Sequence, residues 1–303
     1  MRCRYRDRQK EKRIMARDEN VKIFQDTEER VKEDPGLQEA VKRSVAEQVL
    51  IPEMMEVTDL MPELAQNRDR YEKDAEIIVS KKRSYEAAAG YPGERVCVHN
   101  FASATNPGGG VTKGSSAQEE CLCRCSTLYF CLKTQEMQNR FYTPHRQAQN
   151  PIHNDDIIYT PEVLVFKTDT AVPRRMDEAE WYAVDVITCA APNLRAKPSN
   201  RYNSGDGNRA VSVKSRELMA IHDKRLRRML DTALAKGAET VILGAFGCGA
   251  FENNPEVVAM AAKNVLKDYL HAFCNLEFAV YCTPRDENNY RVFERVLRGY
   301  CKA

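Results

Sequence analysis

The sequence predicts a layered α/β fold on three observations. From about residue 76 short apolar runs alternate with amphipathic ones; two glycine-rich loops each stand between an apolar run and a helical stretch; and the first quarter of the chain is charged, poor in glycine and helical in its spacing. Strands that read as near-continuous apolar runs belong to a sheet buried on both faces.

Residues 1–75 are expected to form an N-terminal helical extension. In "DENVKIFQDTEERVKEDPGL" (18–37) and "ELAQNRDRYEKDAEIIV" (63–79) apolar residues recur at helix-like intervals. Asp34-Pro35-Gly36 signals a turn, and Pro52 and Pro62 break other segments. The second unit, residues 76–303, begins with the apolar run "RVCVHNFA" (95–102), a strand, followed by a helix over 117–135. Strands are expected at 162–167 and 182–191, then a long helix at 208–237 closed by Gly237. A strand at 239–246, a helix at 255–273 opened by Asn254-Pro255, a strand at 276–283 and a final helix at 287–299 complete the chain.

The 303 residues suffice for one large domain, or for one domain with an extension. With 46 basic and 44 acidic residues the net charge is only +2, which argues against a nucleic-acid coat and leaves room for a local positive pocket. The one dense basic run, "KRLRR" (224–228), reads as the solvated face of the long helix. No stretch approaches the roughly 18 apolar residues of a membrane span. The basic N-terminus lacks the apolar core of a signal peptide, so a cytoplasmic protein is expected. The 11 cysteines, most within apolar segments, suit reduced and buried thiols.

In a sheet of this kind ligands bind outside the carboxyl ends of the strands, where loops lead into helices. Two loops have that place: "NPGGGVTKGSSA" (106–117) and "GAFGCGAFENNP" (244–255). Glycines remove Cβ atoms and permit positive φ, so backbone N–H groups can converge on an anion, although glycine clusters also simply make tight turns. Two such loops at matching junctions point to a diphosphate or nucleotide. Neither loop has the Walker pattern or Gly-x-Gly-x-x-Gly.

Gln118-Glu119-Glu120 follows the first loop at a predicted helix start. Acids are ordinary in a first helical turn. Directly after a ligand loop they are also candidates for catalysis. Adjacent helical residues diverge by about 100°, so the two carboxylates cannot flank a bond as paired glycosidase acids do. One acid at most faces the reacting bond, and the other holds geometry. Cys121, Cys123 and Cys125 lack the pairing of a zinc site, and His99 and His222 suit core or surface roles, so no metal or cofactor is expected.

These residues resemble the signature of microbial-type poly(ADP-ribose) glycohydrolases, a macrodomain family: Gly-Gly-Gly, a spacer, then Gln-Glu-Glu. The spacer here is the seven residues Val111 to Ala117. "LGAFGCGAFENNPEVVA" is similar to that family's phosphate loop. The resemblance covers about residues 76–300. It implies a three-layer α/β/α macrodomain-like sandwich with a mixed sheet, and hydrolysis of the ribose–ribose O-glycosidic bond of poly(ADP-ribose). It further implies that Glu120 is the catalytic acid, Glu119 a neighbour bonding ribose hydroxyls, and Gln118 a support for both. Asn106 would contact the distal ribose, Gly108, Gly109 and Gly110 would pack around ribose and diphosphate, and Gly247, Cys248, Gly249 and Ala250 would cradle the diphosphate. Phe251 would orient the ribose and diphosphate.

Three other functions are compatible with parts of this pattern. A non-catalytic ADP-ribose reader would share the loops but have no need of Gln-Glu-Glu. A hydrolase of mono-ADP-ribose on protein or nucleic acid would share the ligand. A phosphate-transfer enzyme is disfavoured by the missing Walker lysine and metal-binding acids. The partner expected is therefore poly(ADP-ribose) or an ADP-ribosylated macromolecule, with no membrane and no direct nucleic-acid binding.

Overall fold

Six of seven strands run in one direction and end at one edge of the sheet, which is what places the two glycine loops together. The computed structural model describes residues 2–60, 68–283 and 286–300, without the side chains of 2–14 and 60. Pro62 lies outside the described residues.

The chain opens with helices α1 (Arg2–Glu33) and α2 (Pro35–Ala46), strand β1 (Val49–Ile51) and a short α3 (Val57–Leu60). The Asp34-Pro35-Gly36 turn is a helix cap: the Asp34 carboxylate accepts from Gly36 N at 2.9 Å and Leu37 N at 3.2 Å, with Pro35 at the first helical position. Strand β2 (Glu76–Ser80), α4 (Ser84–Ala88), β3 (Val96–Ala102), α5 (Gln118–Cys125) and α6 (Leu128–Leu132) follow. Then come α7 (Gln135–Met137), a π-helical turn and α8 (Thr143–Ala148), β4 (Ile157–Val165), β5 (Tyr182–Ala190), α9 (Ser215–Ala235), β6 (Thr240–Leu243), α10 (Pro255–Leu266), β7 (Asn275–Ala279) and α11 (Asn288–Leu297).

The sheet order is β1-β4-β5-β3-β6-β7-β2. β4 runs antiparallel to both of its neighbours and the other adjacent pairs are parallel, so the sheet is mixed. Alternate residues of β3 go to opposite layers. Cys97 joins the core under α9, α10 and α11, while Val96 and Val98 join the core with Leu122, Leu128 and Phe141. This is the expected three-layer sandwich with a mixed sheet and a helical N-terminus.

Several elements differ from the sequence reading. β2 lies where helical spacing was read: Ile77 and Val79 pack to the α9–α11 side, and the strand pairs with β7 at the sheet edge. The segment before residue 76 also supplies β1, which pairs with β4. The helix read over 117–135 breaks at Ser126, which is extended and bridges Val165. Its hydroxyl turns back to Leu122 O at 2.9 Å, while Thr127 N bonds Leu164 O at 3.0 Å. The basic run 224–228 is a solvated face only at Lys224 and, in part, Arg227. Arg225 is 1% exposed, with Nε at 2.7 Å from Asp155 Oδ1 and the guanidinium on Ala190 O, Ile152 O and His153 O. Arg228 binds Met55 O and Pro52 O. The two arginines tie the loops 52–55 and 152–155 to α9.

The nine described cysteines are free thiols, and no described helix is long and apolar enough to cross a membrane.

Arg225→Met should cost about 3–5 kcal/mol of stability, because it leaves three carbonyls without their donor and Asp155 with Lys224 as its one remaining cation. Urea unfolding measures this. A loss below about 1 kcal/mol would mean that the clamp carries no stability.

Candidate active site

β3 and β6 are parallel neighbours, so the loops 103–117 and 244–254 leave the same sheet edge side by side. With the loop that follows β5 and residues Val280-Tyr281 after β7, they enclose a cavity of about 580 Å³. Gly109, Gly110, Gln118, Glu119, Glu120, Gly247, Gly249, Ala250 and Phe251 all line it. Asn106, Gly108 and Cys248 do not line it. The Asn106 amide donates to Ser204 O at 2.7 Å, and the Cys248 thiol turns to Phe246 O at 3.6 Å.

Gln118 fastens the start of α5 to the end of β3. Its Oε1 accepts from Phe101 N at 2.9 Å, and its Nε2 donates to His99 O at 2.7 Å and Ser84 Oγ at 3.0 Å. The helix start is thereby held across the loop that precedes it, and the next two residues inherit a defined position. Glu119 is 2% exposed and accepts from Ser103 N at 2.7 Å, with Asn100 Nδ2 at 3.4 Å from its other oxygen. Glu120 is 7% exposed and accepts from Gly110 N at 2.8 Å. Burial pushes the Glu119 carboxyl well above its ordinary range, the neighbouring Glu120 adds to this, and the Ser103 N–H and Asn100 amide offset part of it. Burial also raises Glu120, against the opposing Gly110 N–H and the Arg124 charge. Both acids leave α5 in different directions, yet their carboxylates meet at Gly109.

The glycines make room for the protein's own atoms. A Cβ on Gly109, at φ +58°, would lie 2.6 Å from Glu120 Oε1 and 3.1 Å from Glu119 Oε2. A Cβ on Gly108 would lie 2.8 Å from the Tyr129 ring, and one on Gly110 would meet Ser115 Oγ. Gly249 differs: a Cβ there would meet nothing within 4 Å. Among the described residues, the N–H groups of Gly249, Ala250 and Phe251 donate to no protein acceptor. Free donors around open space suit an anion.

Buried polar residues fix the surrounding loops. Asn253 donates to Pro192 O at 2.6 Å and Gly247 O at 3.2 Å, and its oxygen meets His222 Nε2 at 2.8 Å. Burial pushes His222 down to about 4, so the ring is neutral and Nε2 donates. Asp206 accepts from Asn193 at 2.6 Å and Asn203 at 2.7 Å. Arg195 holds Asn193 Oδ1 and Pro198 O, and its guanidinium carbon lies 5.4 Å from the centre of the Phe251 ring.

Sequence reasoning missed Ser103, Arg195, Asn203, Arg83, Tyr281, Arg17 and Tyr202, all of which line the cavity. The strand-end rule marks the segments after β5 and β7, but not which residue turns inward. Nothing in the sequence marks Arg17. Cys121, Cys123 and Cys125 are buried, with thiols raised by burial. Among the described residues no group of three or more His, Cys, Asp or Glu side chains could hold a metal ion.

Residues 18–168 match the family model of the microbial-type PARG catalytic domain. The chain belongs to the microbial-type PARG family. The poly(ADP-ribose) glycohydrolase of Thermomonospora curvata, bound to the inhibitor ADP-HPD, is 28% identical, covers 91% of this chain and 98% of its own, and superposes with a TM-score of 0.73. The poly(ADP-ribose) glycohydrolase (PARG) of Deinococcus radiodurans in complex with ADP-ribose is 29% identical over 86% of this chain and 98% of that one, with a TM-score of 0.72. No curated protein sequence matches the chain.

The motif thus lies on a loop that closes tightly on the acids, a geometry that two substitutions test. Gly109→Ala should displace the Glu120 carboxylate and lower the rate of the site's reaction about 100-fold or more, at a modest loss of stability. A near-normal rate would show that the acids do not need this approach. Glu120→Gln should raise the melting temperature at neutral and alkaline pH. The sign follows from the raised folded-state value: the penalty is absent below the ordinary 4.5, grows as pH rises from there, and levels off above the folded value. Melting curves from pH 4 upward, at roughly unit intervals, should show the two proteins diverging, and parallel curves would contradict the burial penalty.

Proposed function

We propose that the chain hydrolyses the ribose–ribose O-glycosidic bonds of poly(ADP-ribose) and releases ADP-ribose, with Glu120 as the single general acid and base. The observation that carries this reading is a buried carboxylate with a raised proton affinity on the wall of a cavity that also holds the free N–H groups of Gly249–Phe251. The PARG of Deinococcus radiodurans holds ADP-ribose, which is the product this reading requires.

In this reading Glu120, whose proton affinity burial raises, enters the reaction as the acid and donates its proton to the leaving ribose oxygen. The glycosidic bond loosens into an oxocarbenium-like state. The substrate's own diphosphate, cradled at Gly247–Ala250 with Arg195 beside it, stabilises that cation. The Glu120 carboxylate then takes a proton from water as the water attacks the anomeric carbon, and the acid is restored. Glu119, fixed by Ser103 N–H, binds ribose hydroxyls, and Phe251 orients ribose and diphosphate. Asn106 reaches the distal ribose only if it releases Ser204. Catalysis is assigned to residues 76–303, with residues 1–75 as an extension that adds β1 to the sheet and Arg17 to the cavity. The site of action is taken as cytoplasmic.

Glu120→Gln decides the mechanism. The amide keeps the size and the acceptor for Gly110 N–H but has no acid proton. The rate on poly(ADP-ribose) should fall by about 10⁴-fold or more, while ADP-ribose still raises the melting temperature. Wild-type enzyme that releases ADP-ribose only from mono-ADP-ribosylated protein, and not from the polymer, would replace the substrate assignment. A variant near wild-type rate would remove Glu120 from its role.

A further inference from the structure

Two guanidinium groups converge on one phenol at the α1 end of the cavity. Arg17 of α1 and Arg201 both donate to the Tyr202 hydroxyl, and their guanidinium carbons lie 4.2 and 4.5 Å from the ring centre. Among the described residues neither arginine has a carboxylate within ion-pair distance. Like charges held together without a counter-ion repel, and an anionic ligand would relieve the repulsion. The platform is fastened to the first glycine loop: Lys113 Nζ donates to Arg201 O at 2.7 Å, Asn20 Nδ2 donates to Gly114 O at 3.1 Å, and a Cβ on Gly110 would lie 3.1 Å from Tyr202 O. Gly110 is also the residue whose N–H holds Glu120. The platform therefore adjoins the acid.

The order of strands says which side of the scissile bond it serves. The cavity crosses the strand ends in the sequence β5, β3, β6, β7, at roughly 4.8 Å per strand. The acids follow β3 and the free N–H groups follow β6. With the reacting ribose at the acids and its diphosphate at the β6 loop, the adenosine of the same unit extends towards β7 and Tyr281. What lies beyond the scissile bond leaves away from the β6 loop, over the first glycine loop, where Tyr202 lies against Gly110 and Arg17 against Gly114. In poly(ADP-ribose) that leaving portion is a second adenosine that carries its own diphosphate. Moreover, α1 continues from Arg17 towards its start through seven basic and two acidic residues between positions 2 and 13.

We propose that Arg17, Arg201 and Tyr202, with Lys113 beside them, form a leaving-side subsite that holds the diphosphate of the adjoining polymer unit. The assignment rests on the glycohydrolase reading. It makes the enzyme selective for a polymer over an ADP-ribose glycoside with a small leaving group.

The test compares wild type with the double variant Arg17→Ala/Arg201→Ala on two substrates. One is poly(ADP-ribose). The other is ADP-ribose carrying 4-nitrophenol at the reacting anomeric carbon, which has no diphosphate on the leaving side. The variant should lose about 10- to 100-fold in kcat/KM on the polymer, mainly through KM, and stay within about twofold on the aryl glycoside. Activity on the aryl glycoside serves as the folding control, and Arg17→Lys/Arg201→Lys should recover part of the polymer activity. Added salt should raise KM for the polymer in wild type and much less in the alanine variant. Equal losses on both substrates, or no loss on the polymer, would overturn the subsite. Wild-type enzyme that cleaves neither substrate would instead remove the glycohydrolase reading beneath it.

Discussion

Two adjacent carboxylates cannot be buried without donors, and much of this site is arranged to supply them. A buried charge without partners costs several kcal/mol, on the order of what a whole domain has to spare. Here the donors include the backbone N–H groups of Ser103 and Gly110, which lie outside α5. They come from a loop that doubles back over the helix start. That path exists because Gly109 has no Cβ where the Glu120 carboxylate lies, and because Gln118 fixes the helix start to Phe101 and His99. The donors lower, but do not cancel, the rise in proton affinity that burial imposes. A raised proton affinity is what a carboxyl group needs to serve as an acid catalyst.

The second glycine loop is built on the opposite principle. Its donors are left free, and one buried amide holds its shape. Asn253 gathers Pro192 O, Gly247 O and His222 into one junction. Asp206 does the same for the loop after β5, through Asn193 and Asn203; burial raises it, but His153 and those amides hold its carboxyl below the ordinary range. The cavity walls are thus rigid where they touch the sheet and open where a ligand would enter, which is the arrangement pre-organised electrostatic stabilisation requires.

The N-terminal helix has a part in this architecture that its composition conceals. Phe24 is buried against Tyr129, with ring centres 4.9 Å apart, and Lys167, 1% exposed, reaches Thr27 Oγ1 at 2.6 Å and the Asp26 carboxylate at 2.7 Å. These contacts anchor α1 to the layer that carries α5. An extension so anchored can place Arg17 at the cavity with the precision of a rigid element.

The sequence alone specifies the alternation of elements, the two strand-to-helix loops and the position of Gln118-Glu119-Glu120 at a helix start. Each of these is a local property: apolar spacing, glycine content and capping are written in consecutive residues. It could not determine the break at Ser126, where a bridge to Val165 outcompetes helix continuation, nor β2 at Glu76–Ser80, whose short run becomes a strand by pairing with β7. It also misjudged 224–228, because a run of cations is solvated by default and only the loops brought to α9 turn Arg225 and Arg228 inward. The reason for the glycines changed too: at Gly108 and Gly109 the missing Cβ atoms admit Tyr129 and the acids. Arg17, Arg83, Tyr202 and Tyr281 reach the cavity from four distant parts of the chain, and only the packing of the sheet edge decides that they meet.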